Sequence, residues 1–377
     1  MRVIHISDLH LGKRVNEFPM MEDQKHIIEQ ILAIAEDEEV SAVIIAGDIY
    51  DKSLPSAEAI ELFDQFLTNL AEKKIQVFGI SGNHDSAERV GYCAEIMCHQ
   101  GIHLCKPYNG KLQCIEVMDK FGPLNIYLMP FIKPANVRRF DENIEIGSYE
   151  DAVKSVLRSA NINPESRNLL LAHQFVTHNG VQPERSDSEV ISVGGLDNID
   201  SSVFKDFDYV ALGHIHRPQN VGRPTIRYSG SPLKYSFSEV NHNKSVTIVE
   251  LREKGTVLLK EVALTPIRDM KKLKGSITEL LSSDFYESIN TNDYYHITLT
   301  DEAVMDAIGK LRMVYPNIMR LEFESSSVED SRKSVAMEKI ELSNTLEIFE
   351  EFYERQNGTK MDQTKRDIIV KLLSEEV

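Results

Sequence analysis

The sequence predicts an α/β protein built around parallel strands. Three observations predict it: short apolar β-type runs recur along the first two-thirds of the chain, helical patterns separate the first of them, and each run ends in polar side chains. Arg2–Ser7 leads into Asp8-Leu9-His10, Ala42–Ala46 into Gly47-Asp48, and Gln76–Ser81 into Gly82-Asn83-His84-Asp85. Asn168–Ala172 leads into His173, and Tyr209–Leu212 into Gly213-His214-Ile215-His216. Near-continuous apolar runs of this kind belong to strands buried on both faces. Between them, Ile27, Ile28, Ile31, Leu32 and Ala35 share one helical face, as do Ile60, Phe63, Phe66, Leu67 and Leu70. Strand, helix, strand, helix, strand implies right-handed crossovers and a parallel core. In such sheets the ligand site lies at the carboxyl ends of the strands, so all the polar clusters are expected at one edge.

The middle of the chain adds strands such as Asn125–Met129 and Ser245–Leu251 and a helix near Tyr149–Ala160. After Pro266 the pattern becomes a small α+β unit. It has a helix around Ile277–Leu281, a strand at Tyr294–Thr300, a helix at Asp301–Val314 and a strand at Ile318–Glu324. Ser325–Ser334 is polar and reads as a linker. Two helices follow, about Ala336–Glu354 and Gln363–Glu376, the first with apolar positions Ile340, Leu342, Leu346, Phe349 and Phe352. The expected organisation is therefore 1–264, 265–324, a linker at 325–334 and a helical tail at 335–377. A length of 377 residues agrees with two or three domains.

Composition excludes several classes. Met1–Asp8 carries charge and histidine too early for a signal peptide, and no apolar run approaches the roughly 20 residues that cross a bilayer. Cys93, Cys98, Cys105 and Cys114 lack CxxC pairing, which reads as reduced thiols in a cytoplasmic protein. A net charge of −17 speaks against a chain that coats nucleic acid by itself. It leaves room for a nucleic-acid enzyme whose bound metals reverse the sign locally.

Asp8 and His10 sit two apart in an extended segment, as do His214 and His216, and alternate side chains of such a segment point the same way. Carboxylates, an amide oxygen and imidazoles make a mixed shell that suits manganese, iron or zinc better than calcium. Asp8, His10, Asp48, Asn83, His173, His214 and His216 are too many for one ion. They fit two ions bridged by one carboxylate, roughly 3.5–4 Å apart. Taken singly, each residue has a plainer role: a histidine near a strand end is usually structural, and Asp48 after a glycine is a possible helix N-cap. Convergence of five segments is what argues for a site.

This series resembles the signature of the calcineurin-like metallophosphoesterases. Within that superfamily the stretches HISDLHLGKR, AGDIYDKSLPS, SGNHDS, ALGHIHRPQ and RYSGSPLKYSFSE are similar to the SbcD-type nuclease subunits of bacteria, which work with an SbcC-type ATPase. The resemblance implies a β-sandwich of two mixed sheets flanked by helices, a small α+β DNA-capping domain and a helical C-terminal segment that binds the ATPase. It implies two divalent metal ions, manganese first among them. Asp48 would bridge them, with Asp8, His10 and His216 completing one site and Asn83, His173 and His214 the other. His84 would be the catalytic group, touching the scissile phosphate or protonating the leaving oxygen. Gly82 would give the sharp turn, and Asp85 would orient His84 or cap a helix. Asp51 stands where archaeal and eukaryotic relatives carry histidine, and its role is open.

Lys13, Arg14, Arg217, Lys271, Lys272 and Lys274 are candidates for DNA phosphates, with plain solvated charge as the other reading. The resemblance also implies a homodimer within a heterotetramer, for which Leu9, Leu11 and the helix near Ser56–Leu70 are candidates. The implied activity is DNA cleavage, exonucleolytic on duplex ends and endonucleolytic on single strands and hairpins, in repair, recombination and replication. Three other readings stand at this point: a small-molecule or cyclic-nucleotide phosphodiesterase of the same superfamily, a phosphoprotein phosphatase, and an inactive scaffold of that fold.

Overall fold

Two six-stranded mixed sheets stack face to face, and the alternation of their side chains explains why. In the computed structural model the first sheet contains β1 (Arg2–Ile6), β2 (Ala42–Ala46), β3 (Gln76–Ile80) and β4 (Ile102–Leu104). The second contains β5 (Gln113–Asp119), β6 (Gly122–Met129), β7 (Arg167–His173), β8 (Tyr209–Gly213), β9 (Gln219–Val221) and β10 (Arg223–Tyr228). β11 (Ser245–Leu251) and β12 (Val257–Ala263) return to the first sheet. The strand orders are β12-β11-β1-β2-β3-β4 and β9-β10-β8-β7-β6-β5. β1 to β4 run parallel, as do β6, β7, β8 and β10; β5, β9, β11 and β12 pair antiparallel.

The structure describes residues 1–140, 146–189 and 197–324, together with 353, 361, 363, 365 and 366. It divides into a unit of Met1–Phe323 and a second of Glu324–Val377. The linker expected at 325–334 and nearly all of the tail expected at 335–377 lie outside the described residues.

Inside the sandwich, Ala42, Ile44 and Ala46 of β2 meet Leu169 and Leu171 of β7 and Tyr209 and Ala211 of β8 in one buried cluster. The alternate residues face outward. Val43 and Ile45 pack under α1 (Met21–Asp37) and α2 (Ala57–Glu72); Leu170, Val210 and Leu212 pack under α3 (Tyr149–Ser159). Strands covered on both faces read as unbroken apolar runs, which is how they announced themselves in the sequence. Ser56 and Ser148 cap α2 and α3, each accepting a backbone N–H of the first turn.

Two expectations change. Leu9 and Leu11 are 1% and 2% exposed within the α1/α2 core, which leaves them no part in a dimer surface. Ile60, read as a core position of α2, is 46% exposed and lines a surface cavity together with exposed Tyr92.

The unit after Pro266 holds three parallel strands, β13 (Met270–Gly275), β14 (Tyr294–Leu299) and β15 (Ile318–Phe323), around Leu280, Leu311 and Tyr315. The first carries Lys271, Lys272 and Lys274 and had no strand signal. The helix expected over Asp301–Val314 is shorter, Ala307–Arg312. Arg268 and Tyr294 both bond to the buried Asp23 of α1, at 2.9 and 2.8 Å, and so join this unit to the sandwich.

At the edge where β7 begins, Arg167 staples the two sheets. It donates to both oxygens of Asp119 at 2.7 and 2.9 Å and to the Leu251 carbonyl at 3.1 Å. Burial opposes ionisation of Asp119, but the Arg167 fork holds its carboxyl well below the usual carboxylate range. A depressed pKa contributes stability that is complete above the unfolded value, about 3.9, and lost as pH falls below it. Asp119→Ala should leave a buried guanidinium unpaired and cost roughly 3 kcal/mol. A lower urea midpoint at pH 7 with an unchanged m-value would register that loss, and the variant should unfold with a shallower acid dependence than the parent protein.

Candidate metal centre

The carboxyl ends of β1, β2, β3, β7 and β8 open into loops that are laced together by backbone bonds. Asp8 N–H donates to the Gly47 carbonyl at 3.0 Å, His10 N–H to Asp48 at 3.0 Å and Leu11 N–H to Ile49 at 2.9 Å. Asp8, His10, Asp48 and His214 have positive φ, at 54°, 44°, 50° and 104°. Side chains other than glycine pay of the order of 1–3 kcal/mol for such conformations, which cluster at functional sites. Gly82 has no positive φ, so the sharp-turn explanation fails. A Cβ there would lie 2.1 Å from Asp48 Oδ1, and glycine is required because the loops approach so closely. At Gly213 a Cβ would lie 2.0 Å from the Ala46 carbonyl, for the same reason.

Asp48 is the hub. Its Oδ2 lies 3.4 Å from His173 Nε2 and 3.7 Å from His10 Nε2, while Oδ1 accepts the His84 N–H at 2.9 Å. Asn83 Oδ1 lies 3.0 Å from His173 Nε2 and 2.9 Å from His214 Nδ1. On the other side, His10 Nε2 faces His216 Nε2 at 3.2 Å. Asp8 accepts the His214 N–H at 3.0 Å and a bond from Ser7 Oγ at 2.5 Å. Asp8, His10 and His216 can hold one ion between them, as can Asp8, Asp48 and His173, or His10, Asp48 and His84. All of Asp8, His10, Asp48, His173 and His216 are at most 2% exposed.

The donor set fits a divalent cation. His173 donates Nδ1–H to the Ala46 carbonyl at 2.8 Å, which turns its Nε2 lone pair toward two oxygens, on Asn83 and Asp48. Lone pair against lone pair is stable only with a cation between them, either a proton or a metal. His216 repeats the pattern. Ser188 Oγ donates to Glu239 at 2.6 Å, so it accepts from His216 Nδ1 at 2.8 Å, leaving the Nε2 lone pair of His216 toward His10. His10 Nδ1 is buried with no hydrogen-bond partner among the described residues.

The electrostatics carry the same demand. Burial alone would lower His173, yet Asp48 and Asp8 pull it up to about 9. Burial and His173 push His214 down to about 3. Burial would raise Asp48, but His173, His10 and His84 together hold it below the carboxylate range.

Around this cluster the other expected residues find different places. His84 Nδ1 bonds to the backbone carbonyl of Asp51 at 2.9 Å, and its ring stands 4.8 Å from that of His10, edge to face. Asp51 therefore orients His84 through its main chain, while its carboxylate pairs with Lys13 at 2.7 Å. Asp85 makes no bond to His84. It accepts backbone N–H groups from Gly82, Ile49 and Tyr50 at 2.8, 3.1 and 2.9 Å, fastening one ligand loop to the next. Lys13 is mostly buried in its ion pair, Arg14 bonds to the Glu17 carbonyl, Arg217 pairs with Glu184 and Lys271 with Asp293. Lys272 and Lys274 point to the exposed face of β13.

The support behind His216 had no signal in the sequence. Lys244, 6% exposed, donates to Glu239 at 2.6 Å, to the His216 carbonyl at 2.9 Å and to Ser231 Oγ at 2.8 Å. Glu189 accepts the His216 N–H at 2.8 Å. No spacing rule links these positions to His216.

A family model for calcineurin-like phosphoesterases matches residues 1–218, and one described as the type 5 capsule protein repressor C-terminal domain matches 266–357. The chain therefore belongs to the calcineurin-like phosphoesterases and, within them, to the family of SbcD nuclease subunits. It is 31% identical over 379 residues to the SbcD component of the SbcCD nuclease of Staphylococcus epidermidis, across 99% of this chain and 98% of that one. Among solved structures, a phosphopantetheinyl hydrolase from Mycobacterium tuberculosis matches at 13% identity and a TM-score of 0.37, covering 69% of this chain and 95% of its own. A dimetal phosphatase from Danio rerio matches at 12% and 0.40, covering 70% and 98%.

Gly82→Ala should displace the Asp48 carboxylate and strip metal as thoroughly as Asp48→Ala does, with the far-ultraviolet circular dichroism of both variants unchanged. Metal analysis of the purified proteins checks this. His214→Ala should lose less, since Asp48 still serves the other side.

Proposed function

We infer that this chain is a two-metal DNA phosphodiesterase, the nuclease subunit of an assembly with an SbcC-type ATPase. The observation that carries this reading is the shared carboxylate of Asp48 between two sets of ligands, in a chain whose full-length relative is named as a nuclease subunit. Asp8, His10 and His216 would hold one ion and Asn83, His173 and His214 the other, and the mixed nitrogen and oxygen donors favour manganese. Divalent ions there would act as Lewis acids on the phosphate and lower the pKa of water.

The chain's own residues supply the rest. His84 has its Nδ1 committed to the Asp51 carbonyl, so the proton it exchanges with substrate sits on Nε2. Protonated there, it contacts a phosphate oxygen or hands the proton to the leaving oxygen. Asp85 and Gly82 hold Asn83 and His84 at their station, and Glu239, Ser188 and Lys244 fix the ring of His216.

The sandwich to residue 264 forms the phosphoesterase domain. Residues 265–324 form a cap whose Lys272 and Lys274 face DNA, 325–334 a linker, and 335–377 the ATPase-binding segment. Exposed Ile60 and Tyr92, which line one surface cavity, support a homodimer contact beside α2. No described helix is long and apolar enough to cross a membrane, and a DNA substrate places the protein in the cytoplasm.

The test is hydrolysis of plasmid, hairpin and single-stranded DNA and of bis-p-nitrophenyl phosphate, with manganese, magnesium or EDTA. Manganese-dependent cleavage of DNA supports the reading; hydrolysis of the small diester alone points to a small-molecule phosphodiesterase. His84→Gln should lower the rate about 10²–10⁴-fold while metal content and DNA affinity hold. Loss of metal in that variant would make His84 a ligand instead. A chain stopped after Ser334 should keep manganese-dependent activity on single strands and fail to co-purify with the ATPase.

A further inference from the structure

Beside the metal centre a cavity of about 350 Å³ opens directly onto Asn83, His84 and His214. Three aromatic rings line one part of it, and polar groups, Asp197 and Lys133 among them, line the rest. Phe131 and Tyr149, both half-buried, stand 6.2 Å apart with their rings at 45°, and Phe175 lies deeper, its ring 6.3 Å from that of His214. Phe131 is held in place from below, its N–H bonded to the Ser81 carbonyl at 2.9 Å, one residue before Gly82. Gln174 is 1% exposed and follows the ligand His173; it lines the same cavity, and its Oε1 has no hydrogen-bond partner among the described residues. Lys133 stands exposed at the mouth.

A phosphate on the metals needs none of this. Charged oxygens gain nothing from Phe131, Tyr149 or Phe175, and an apolar wall next to a buried ion cluster is costly to leave wet. The group that travels with a phosphodiester and prefers such a wall is a flat ring with polar edges. We propose that this cavity is a nucleobase subsite: the nucleotide whose phosphate reaches the metals is unstacked and its base enters against Phe131 and Tyr149. The inference rests on the nuclease reading above and adds how the substrate is gripped. Gln174, whose Oε1 is sealed from solvent, backs the floor, and Lys133 at the mouth meets the phosphate on the far side of the same sugar. Enzymes that must reach into nucleic acid do extrude a nucleotide, and stacking on aromatic side chains tolerates any base. The proposal implies faster cleavage of single strands and frayed ends, where no stacking or pairing has to be broken first.

The experiment compares two single-stranded oligonucleotides of one sequence, cleaved with manganese by the full-length protein. One is intact; the other carries a tetrahydrofuran abasic residue at the mapped cleavage position. The intact protein should cleave the normal strand with a kcat/KM roughly 10- to 100-fold above the abasic one, the range that base–aromatic stacking supplies. In the double variant Phe131→Ala, Tyr149→Ala that ratio should collapse toward one. Far-ultraviolet circular dichroism and bound metal identify a variant that has misfolded, and Phe131→Leu, which keeps the bulk and removes one of the two rings, should then lower the ratio part of the way. Equal cleavage of the two strands by the intact protein overturns the subsite and leaves the nuclease reading standing. A ratio that survives both the double variant and Phe131→Leu overturns it as well. Hydrolysis of bis-p-nitrophenyl phosphate with no cleavage of either strand overturns the nuclease reading itself, and the subsite with it.

Discussion

Asp48 is the constraint on which the rest of the molecule turns. A carboxylate 2% exposed, within 3.7 Å of two histidine nitrogens and with a third histidine's backbone on its other oxygen, cannot be left in an apolar core uncompensated. The fold answers by bringing five strand ends from two sheets to one edge, so that histidines from separate segments surround it. Glycine at 82 and 213 follows from that crowding, because any Cβ would occupy the space of Asp48 or of the Ala46 carbonyl. The positive φ of Asp8, His10, Asp48 and His214 follows too: the loops bend sharply back to aim their side chains inward. Strain is tolerated here because the sandwich beneath is closely packed and stapled at its other end by Arg167 and Asp119.

The same buried charge divides the surroundings into two kinds of support. Behind His216 lies a polar network, with Lys244, Glu239 and Ser188 fully engaged with one another and with the ring. Every member has a partner, so the network fixes the ring without leaving a stranded charge. Beside His84 and His214 the support is aromatic and open, with Phe131, Tyr149 and Phe175 around an accessible cavity. One side of the centre is sealed; the other is open to the cavity.

Much of this was legible in the sequence, for a physical reason. Strands covered on both faces must be apolar throughout, so β1, β2, β3, β7 and β8 and the polar side chains gathered at their ends could be read directly. Residues whose meaning depends on packing could not. Asp85 looks like a partner for the adjacent His84, yet three backbone N–H groups from two loops claim it. Lys13 looks like a DNA contact, yet Asp51 neutralises it. Leu9 and Leu11 sit between exposed-looking polar residues but lie under α1. Glu239 and Lys244 carry no periodicity that points to a histidine so far back along the chain. β13 hid because its lysines alternate with few apolar residues, only one face being covered.

The most direct measurement is anomalous diffraction at the manganese edge from crystals grown with that metal. The account predicts two peaks flanking the Asp48 carboxylate, one among Asp8, His10 and His216 and one among Asn83, His173 and His214. A single peak, or a second ion that Asp48 does not touch, would contradict it.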